Sequence, residues 1–105
     1  MKILILILLS LFTLDAKEKI VSLSPSITEI IYALEKGDSL VGTSSYSLYP
    51  QEAKKLPIIG GYENPNIERI LALSPTLVVG QEFTQNTLNK LKYFNVKTLM
   101  LDLKT

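Results

Sequence analysis

Hydroxyl and aromatic side chains follow the strands predicted in this 105-residue sequence, at the points where the chain turns toward its next element. The four turns read Ser24-Pro25-Ser26, Ser44-Ser45-Tyr46, Gly60-Gly61-Tyr62 and Gln81-Glu82. Only Glu82 brings a charge to these turns, and the sequence has neither a G-x-G-x-x-G motif nor a P-loop lysine to hold a phosphate. Hydroxyls that hydrogen-bond and aromatic faces that stack instead suit a large ligand that is largely uncharged or internally neutralised.

The composition lacks the commonest metal ligands and the commonest general base. The sequence contains no histidine and no cysteine, and its formal net charge is +1. The commonest zinc and iron ligands and the usual general base are therefore missing, and disulfides are excluded. A net charge so close to zero gives no indication of the basic surface that binds a nucleic acid. Nucleophile–base catalysis of the Ser/His/Asp or Cys/His kind is therefore unavailable, and we expect no metal site.

Strands that alternate with helices position these turns. The first unit is a short apolar strand, Ile20–Leu23, followed by a helix with apolar residues at i, i+3, i+4 and i+7. These residues are Ile27, Ile30, Ile31 and Leu34. Two starts compete for this helix: Ser26 with Glu29 has the capping-box spacing, and Ser24 precedes Pro25, which is favoured at the first helical position. The simplest role of both serines is to cap the helix.

The rest of the chain repeats the alternation. It contains a strand at Ser39–Thr43, a helical turn near Gln51–Lys55, a helix after the cap Asn66, a strand at Thr76–Gly80, a helix at about Thr84–Phe94 and a strand at Lys97–Leu103. The later helices turn Ile67, Ile70, Leu71, Leu88 and Leu91 toward the core. Strands separated by helices pair in parallel through right-handed crossovers, which predicts an α/β fold with about four strands. Ligands of such folds bind at the carboxyl ends of the strands, where the four turns lie.

The amino terminus has the layout of a secretory signal peptide. Lys2 gives a positive start, and the twelve residues 3–14 ("ILILILLSLFTL") form an apolar run. This run is too short to cross a bilayer as a helix, which takes about 20 residues, but it has the length of a signal-peptide core. Ala16 is the candidate cleavage site. We therefore expect a signal peptide at residues 1–16 and a mature lobe at 17–105.

Three longer stretches resemble one known family. They read "IVSLSPSITEIIYAL", "LVGTSSYSLYPQEAKKLPIIGGYENPNIERILALSPTLVVG" and "LNKLKYFNVKTLMLD". From about Lys19 onward the sequence is similar to the amino-terminal lobe of the substrate-binding proteins of ABC importers for cobalamin, ferric siderophores or haem. The resemblance implies a parallel-sheet, Rossmann-like α/β lobe that forms half of a two-lobed periplasmic-binding fold. It also implies a periplasmic protein without a cofactor, which clasps its ligand between the lobes.

The resemblance assigns roles to individual residues. Tyr46 matches a ligand-contacting tyrosine of the cobalamin binders, and Tyr62 stands where an aromatic often faces the ligand. Gln81 occupies a rim position that is often aromatic, a departure that counts against cobalamin specifically. Ser24 adds a hydroxyl at the end of the first strand. Glu68, in "PNIERIL", matches the glutamate with which the family meets arginines of the membrane permease. The expected partners are this permease and a large small-molecule ligand, and the membrane is reached only through the permease.

Family members continue into a linking helix and a second lobe. We therefore expect this sequence to be a fragment, a truncated gene product or one piece of a split protein, with little ligand affinity of its own. Two alternatives stay open: a stand-alone half-lobe that docks on a permease without carrying ligand, and a flavodoxin-like enzyme, which the composition disfavours. The residues do not choose among cobalamin, ferric siderophore and haem.

Overall fold

Four parallel strands form the single sheet of the described chain. The computed structural model describes residues 18–61 and 63–102. The strands are β1 (Ile20–Ser22), β2 (Leu40–Gly42), β3 (Leu77–Gln81) and β4 (Thr98–Leu101), and their order in the sheet is β2-β1-β3-β4. Every pairing is parallel, as the alternating pattern predicts. The central position of β1 and β3 brings the turns that follow them side by side.

Three helices cross over between the strands. They are α1 (Pro25–Ala33), α2 (Ile67–Ala72) and α3 (Gln85–Tyr93), and three short 3-10 segments lie at Gly37–Ser39, Gln51–Lys55 and Glu82–Thr84. Each helix runs back toward the amino edge of the sheet, so all three begin near its carboxyl edge. Within the described residues, no helix has the length and apolar character needed to span a membrane. The predicted signal peptide at residues 1–16 lies outside the described residues.

The core has two layers, one on each face of the sheet. The first layer packs α2 and α3 against the sheet through Val21, Leu23, Ile59, Ile70, Val78, Leu88 and Leu91. The second layer packs α1 against the other face through Ile20, Ile27, Ile31, Leu40 and Val79. Burial on both faces explains why the central strands β1 and β3 are largely continuous apolar runs rather than alternating ones.

One residue of the predicted inward face of α1 is placed differently. The periodicity assigned Leu34 to the core, yet its side chain is 66% exposed. The helix ends at Ala33, and Glu35 adopts a left-handed conformation with φ of 61°. Leu34 is therefore the cap residue, where the chain has already begun to turn away from the sheet. The inner face of α1 is completed by Thr28, which is fully buried.

Ser24, rather than Ser26, begins α1. The Ser24 hydroxyl accepts a hydrogen bond from the amide of Ile27 at 3.2 Å, and Pro25 occupies the first helical position. Strand pairing continues past the end of β1, because the amide of Leu23 donates to the carbonyl of Val79 at 3.0 Å. The helix therefore starts immediately after this last sheet contact. Of the two predicted starts, the one with serine before proline is confirmed.

Replacing Ser24 by alanine is expected to lower the free energy of unfolding by about 0.5–2 kcal/mol, the usual cost of losing a side-chain N-cap. Ser26→Ala is the matched control, because Ser26 is exposed and lies inside the helix. We expect that control to change the free energy by less than about 0.5 kcal/mol. Urea unfolding of both variants, followed by circular dichroism, makes the comparison. An equal loss in the two variants would contradict this assignment of the cap.

Candidate functional site

The loop that follows β2 presents Tyr46 at the carboxyl edge of the sheet. Tyr46 has a left-handed backbone, with φ of 66°, and its side chain is 78% exposed. Leu48 and Tyr49 follow it and are exposed as well. A tyrosine so exposed contributes little to the core, and its ring is free to stack on a ligand. The predicted position of Tyr46 at a strand end is thus the position in the structure.

A shallow cleft of about 260 Å³ lies beside this loop. It is lined by Thr43, Ser44, Tyr46, Ser47, Leu48, Ala53, Lys54 and Ile58. Tyr46, Leu48 and Ile58 supply exposed apolar surface to it, and Lys54 supplies a cation. The cleft is smaller than the pockets that enclose drug-sized molecules, and a ligand of corrin or haem size would extend well beyond it.

On its outer side the loop is held by the segment that contains Gly60. The Gly60 carbonyl accepts hydrogen bonds from the amide of Ser45 at 2.8 Å and from its hydroxyl at 3.2 Å. Gly60 has φ of 123°, and an added Cβ would lie 2.9 Å from the carbonyl oxygen of Asn64. Glycine is therefore required here both by backbone conformation and by the close approach of the neighbouring chain.

On its inner side the loop is held by a row of buried hydroxyls, which we call the hydroxyl chain. The Thr28 hydroxyl donates to the Ser22 hydroxyl at 2.8 Å, and the Ser22 hydroxyl donates to the Ser24 carbonyl at 2.9 Å. Thr28 Oγ1 also lies 3.3 Å from Ser47 Oγ, which lies 3.2 Å from Ser44 Oγ. In the part of the chain that the structure describes, no buried side-chain nitrogen or oxygen lacks a hydrogen-bond partner. The hydroxyl chain therefore ties the loop after β2 to the start of α1.

The other predicted ligand contacts are placed as follows. Ser24 is only 2% exposed, and its hydroxyl binds the Ile27 amide, so it faces the helix start rather than the open edge. Gln81 is half-buried at the end of β3. Its backbone N–H donates to the Thr84 hydroxyl at 2.9 Å, and its backbone carbonyl accepts from the same hydroxyl at 2.8 Å. Tyr62 lies outside the described residues. Burial leaves the Ser24 hydroxyl little access to a ligand.

Glu68 lies apart from the Tyr46 loop, in the first turn of α2. Its side chain is exposed, whereas Ile70 of the same helix is fully buried. Asn66 caps the helix by accepting from the Arg69 amide at 3.0 Å, as the sequence predicts. Glu68 therefore faces solvent at the end of the helix that lies toward the carboxyl edge. This is where the positive end of the helix dipole favours a carboxylate.

Sequence reasoning missed several residues of this edge. Thr28 and Ser47 are 19 positions apart, and no local pattern connects them. The spacing of Thr28 four residues after Ser24 is a weak signal, since such threonines often bond the carbonyl one turn back, here at 3.2 Å. Phe83 was also missed: its ring is half-exposed in the turn just after Gln81. An aromatic therefore stands two positions from where the family often places one.

Hydroxyl and apolar side chains dominate the described edge around Tyr46. Among residues 18–61 and 63–102, no cluster of three or more acidic, histidine or cysteine side chains is placed to hold a metal ion. Burial, reinforced by the carboxylates of Glu52 and Asp38, raises the pKa of Tyr32. Its phenol accordingly stays neutral at physiological pH. Around Tyr46 these side chains are joined by the Lys54 cation, and together they can orient and cover a ligand.

The sequence and fold of this chain match those of known proteins. The model of the periplasmic binding protein family matches residues 20–101. Over 77 residues the chain is 49% identical to the vitamin B12-binding protein of Yersinia pseudotuberculosis serotype O:1b (strain IP 31758), a match that covers 71% of this chain and 28% of that protein.

Two solved structures share the fold. The periplasmic vitamin B12 binding protein BtuF of Vibrio cholerae matches with a TM-score of 0.78 and 38% identity, over 84% of this chain and 35% of that one. The periplasmic heme-binding protein RhuT from Roseiflexus sp. RS-1 matches with a TM-score of 0.74 and 42% identity, over 79% of this chain and 33% of that one. The chain spans between 28% and 35% of the length of these three relatives. The resemblance in the sequence is thus confirmed, and this chain belongs to the periplasmic binding protein family, of which it covers the amino-terminal portion.

Proposed function

We propose that this chain is the amino-terminal lobe of a substrate-binding protein that captures cobalamin in the periplasm and delivers it to an ABC importer. The observation that carries the proposal is the 49% identity over 77 residues to a vitamin B12-binding protein. Ferric siderophore and haem are the alternative ligands, and a heme-binding protein is among the structural relatives. A binding role without catalysis accords with an edge that offers hydroxyls and aromatics but no histidine or cysteine.

The chemistry of the edge supports a broad, rigid ligand. Tyr46 and Tyr49 present exposed rings after β2, and Phe83 presents one after β3. Because β1 lies between β2 and β3, these aromatics flank the start of α1 from two sides. Flat rings spread along one edge can pack against a planar macrocycle, which buries apolar surface at little cost in side-chain freedom.

Ligand binding tests the proposal directly. The chain would be joined to the part of the Vibrio cholerae protein that it does not cover, and equilibrium dialysis would compare cyanocobalamin, hemin and a ferric hydroxamate siderophore. Saturable binding of cyanocobalamin, tighter than that of the other two, is the expected result. Preference for hemin or the siderophore would reassign the ligand within the same transport role. Failure to bind all three, in a protein that melts cooperatively, would reject the role.

Export to the periplasm is part of this proposal. It is supported by the family and by the signal-peptide layout of residues 1–16. We expect mass spectrometry of a periplasmic extract to find a mature chain that starts at Lys17. An intact species starting at Met1 and held in the membrane fraction would contradict it.

Glu68 is proposed to contact the permease. It is an exposed carboxylate on the first turn of a helix whose other side is buried in the core. An arginine on the permease would form a charge-assisted and geometrically specific pair with it, which gains strength when water is excluded at the interface. Glu68→Gln is therefore expected to weaken complex formation with the permease while leaving the melting temperature and ligand affinity nearly unchanged.

Co-purification with the permease in lipid nanodiscs measures this effect. Glu29→Gln is the matched control, because Glu29 is also an exposed carboxylate on a helix, α1. Normal complex formation by Glu68→Gln, combined with a lower melting temperature, would show that Glu68 serves only the start of its helix.

A further inference from the structure

The hydroxyl chain has a single direction, which follows from the order of its members. The carbonyl of Ser24 can only accept a hydrogen bond, so the Ser22 hydroxyl donates its one proton to this carbonyl. The Thr28 hydroxyl in turn directs its proton to the same end of the row, to the Ser22 hydroxyl at 2.8 Å or to the Ser24 carbonyl at 3.2 Å. Thr28 can then only accept from Ser47, and Ser47 can only accept from Ser44. All four hydroxyls thus point the same way, from the loop into the start of α1, in an arrangement where each bond polarises the next.

Thr28 is the member of this row that joins two elements. Ser22 and Ser24 belong to the β1–α1 unit, and Ser44 and Ser47 belong to the loop after β2. Thr28 lies in α1, is fully buried, and contacts both groups. Removing its hydroxyl would leave the Ser44 and Ser47 hydroxyls with one acceptor too few, in a site with almost no access to water, where an unmatched hydroxyl is costly.

Tyr46 lies between this inner attachment and the outer one. Ser47, which follows it, is held by Thr28, and Ser45, which precedes it, is held by the Gly60 carbonyl. A residue fixed on both sides in a left-handed conformation has little backbone freedom left to lose when a ligand binds. The loop is thereby set in one shape before a ligand arrives.

We propose that Thr28 is a positioning residue for ligand binding: through Ser47 it holds the loop after β2 in the shape that presents Tyr46. This inference rests on the proposed function for its ligand. The holding of the loop by Thr28, however, is a property of the chain by itself. The two parts can therefore fail separately in an experiment.

Thr28→Val removes the hydroxyl and keeps the shape of the side chain. Hydrogen exchange of the full chain, read by mass spectrometry, is expected to become at least about tenfold faster in residues 44–48 and to stay unchanged in β3, since one buried hydrogen bond is lost locally. Cyanocobalamin affinity of the joined protein described above is expected to fall by about tenfold for the same reason. Thr28→Ser restores the hydroxyl and is expected to restore both values. Thr87→Val, a half-buried threonine of α3 away from the loop, is the control.

Three results would overturn the inference. They are unchanged exchange in residues 44–48, exchange that rises equally in β3, and failure of Thr28→Ser to restore the wild-type values. Should Thr28→Val not fold, Ser47→Ala cuts the same link from the loop side and is expected to give the same local increase. A loop that loosens in Thr28→Val, in a protein that binds no corrinoid, haem or siderophore, would support the holding role and reject the proposed function.

Discussion

Replacing Leu91 by alanine is expected to lower the free energy of unfolding by about 2–5 kcal/mol, the range measured when a large aliphatic side chain is removed from a packed core. Leu91 is fully buried on α3, among the residues that pack this helix against the sheet. For a domain of this size such a loss is a large fraction of the total stability. Urea unfolding, monitored by circular dichroism, measures it.

Leu34→Ala is the matched control for this experiment. The substitution is chemically identical, but the Leu34 side chain is 66% exposed at the end of α1. We expect a change of less than about 0.5 kcal/mol. The pair also tests the helix periodicity, which assigned both leucines to the core. Similar large losses in the two variants would mean that Leu34 is packed and that α1 continues further than Ala33.

Replacing Tyr46 by alanine is expected to weaken ligand binding by about 1–3 kcal/mol, the scale of losing one buried aromatic contact. The ring is 78% exposed in the free lobe, so it gains its contacts only when a ligand covers it. Alanine keeps the Cβ, so the cost of the left-handed backbone is the same in both proteins. Equilibrium dialysis with cyanocobalamin, in the joined protein, measures the change.

Two further variants sharpen the Tyr46 experiment. Tyr93→Ala removes a ring that is 87% exposed at the far end of α3, near the amino edge of the sheet, and is expected to leave affinity unchanged. Tyr46→Phe keeps the ring and removes only the hydroxyl, so wild-type affinity in that variant would assign the contact to stacking. If Tyr46→Ala and Tyr93→Ala bind equally well, Tyr46 does not belong to the ligand site.

The fold could be predicted from the sequence because its signals are local. Each strand is a short apolar run, and the N-cap residue Asn66 marks the start of α2. The choice between Ser24 and Ser26 could not be made locally, since both fit a capping rule. In the structure the Ser24 hydroxyl binds the Ile27 amide, and the helix begins directly after the last sheet contact, which Leu23 makes with Val79. The exposed position of Leu34 depends likewise on where the chain turns, since the helix ends at Ala33.

The candidate site could be predicted only in outline. Parallel topology brings the strand ends to one edge, which is enough to place Tyr46 and Gln81 there. It does not tell which hydroxyls face the ligand and which face the interior. Thr28 and Ser47 meet only because β1 and β2 are neighbours and the loop folds back over α1. A contact of this kind depends on three elements at once, so no sequence window contains it.

Two hydrogen bonds join Ser45 to the Gly60 carbonyl. This attachment limits how the specificity of the rim can be changed by directed evolution. Any side chain at position 60 would strain the backbone there, so a library that randomises this residue would mostly report on folding. Position 46 is restricted in the same way but less strongly, because its left-handed backbone disfavours valine and isoleucine whatever the ligand. Their depletion in a selection would therefore say nothing about recognition. Leu48, which is exposed and has φ outside the left-handed region, is the position where enrichment would report on the ligand itself.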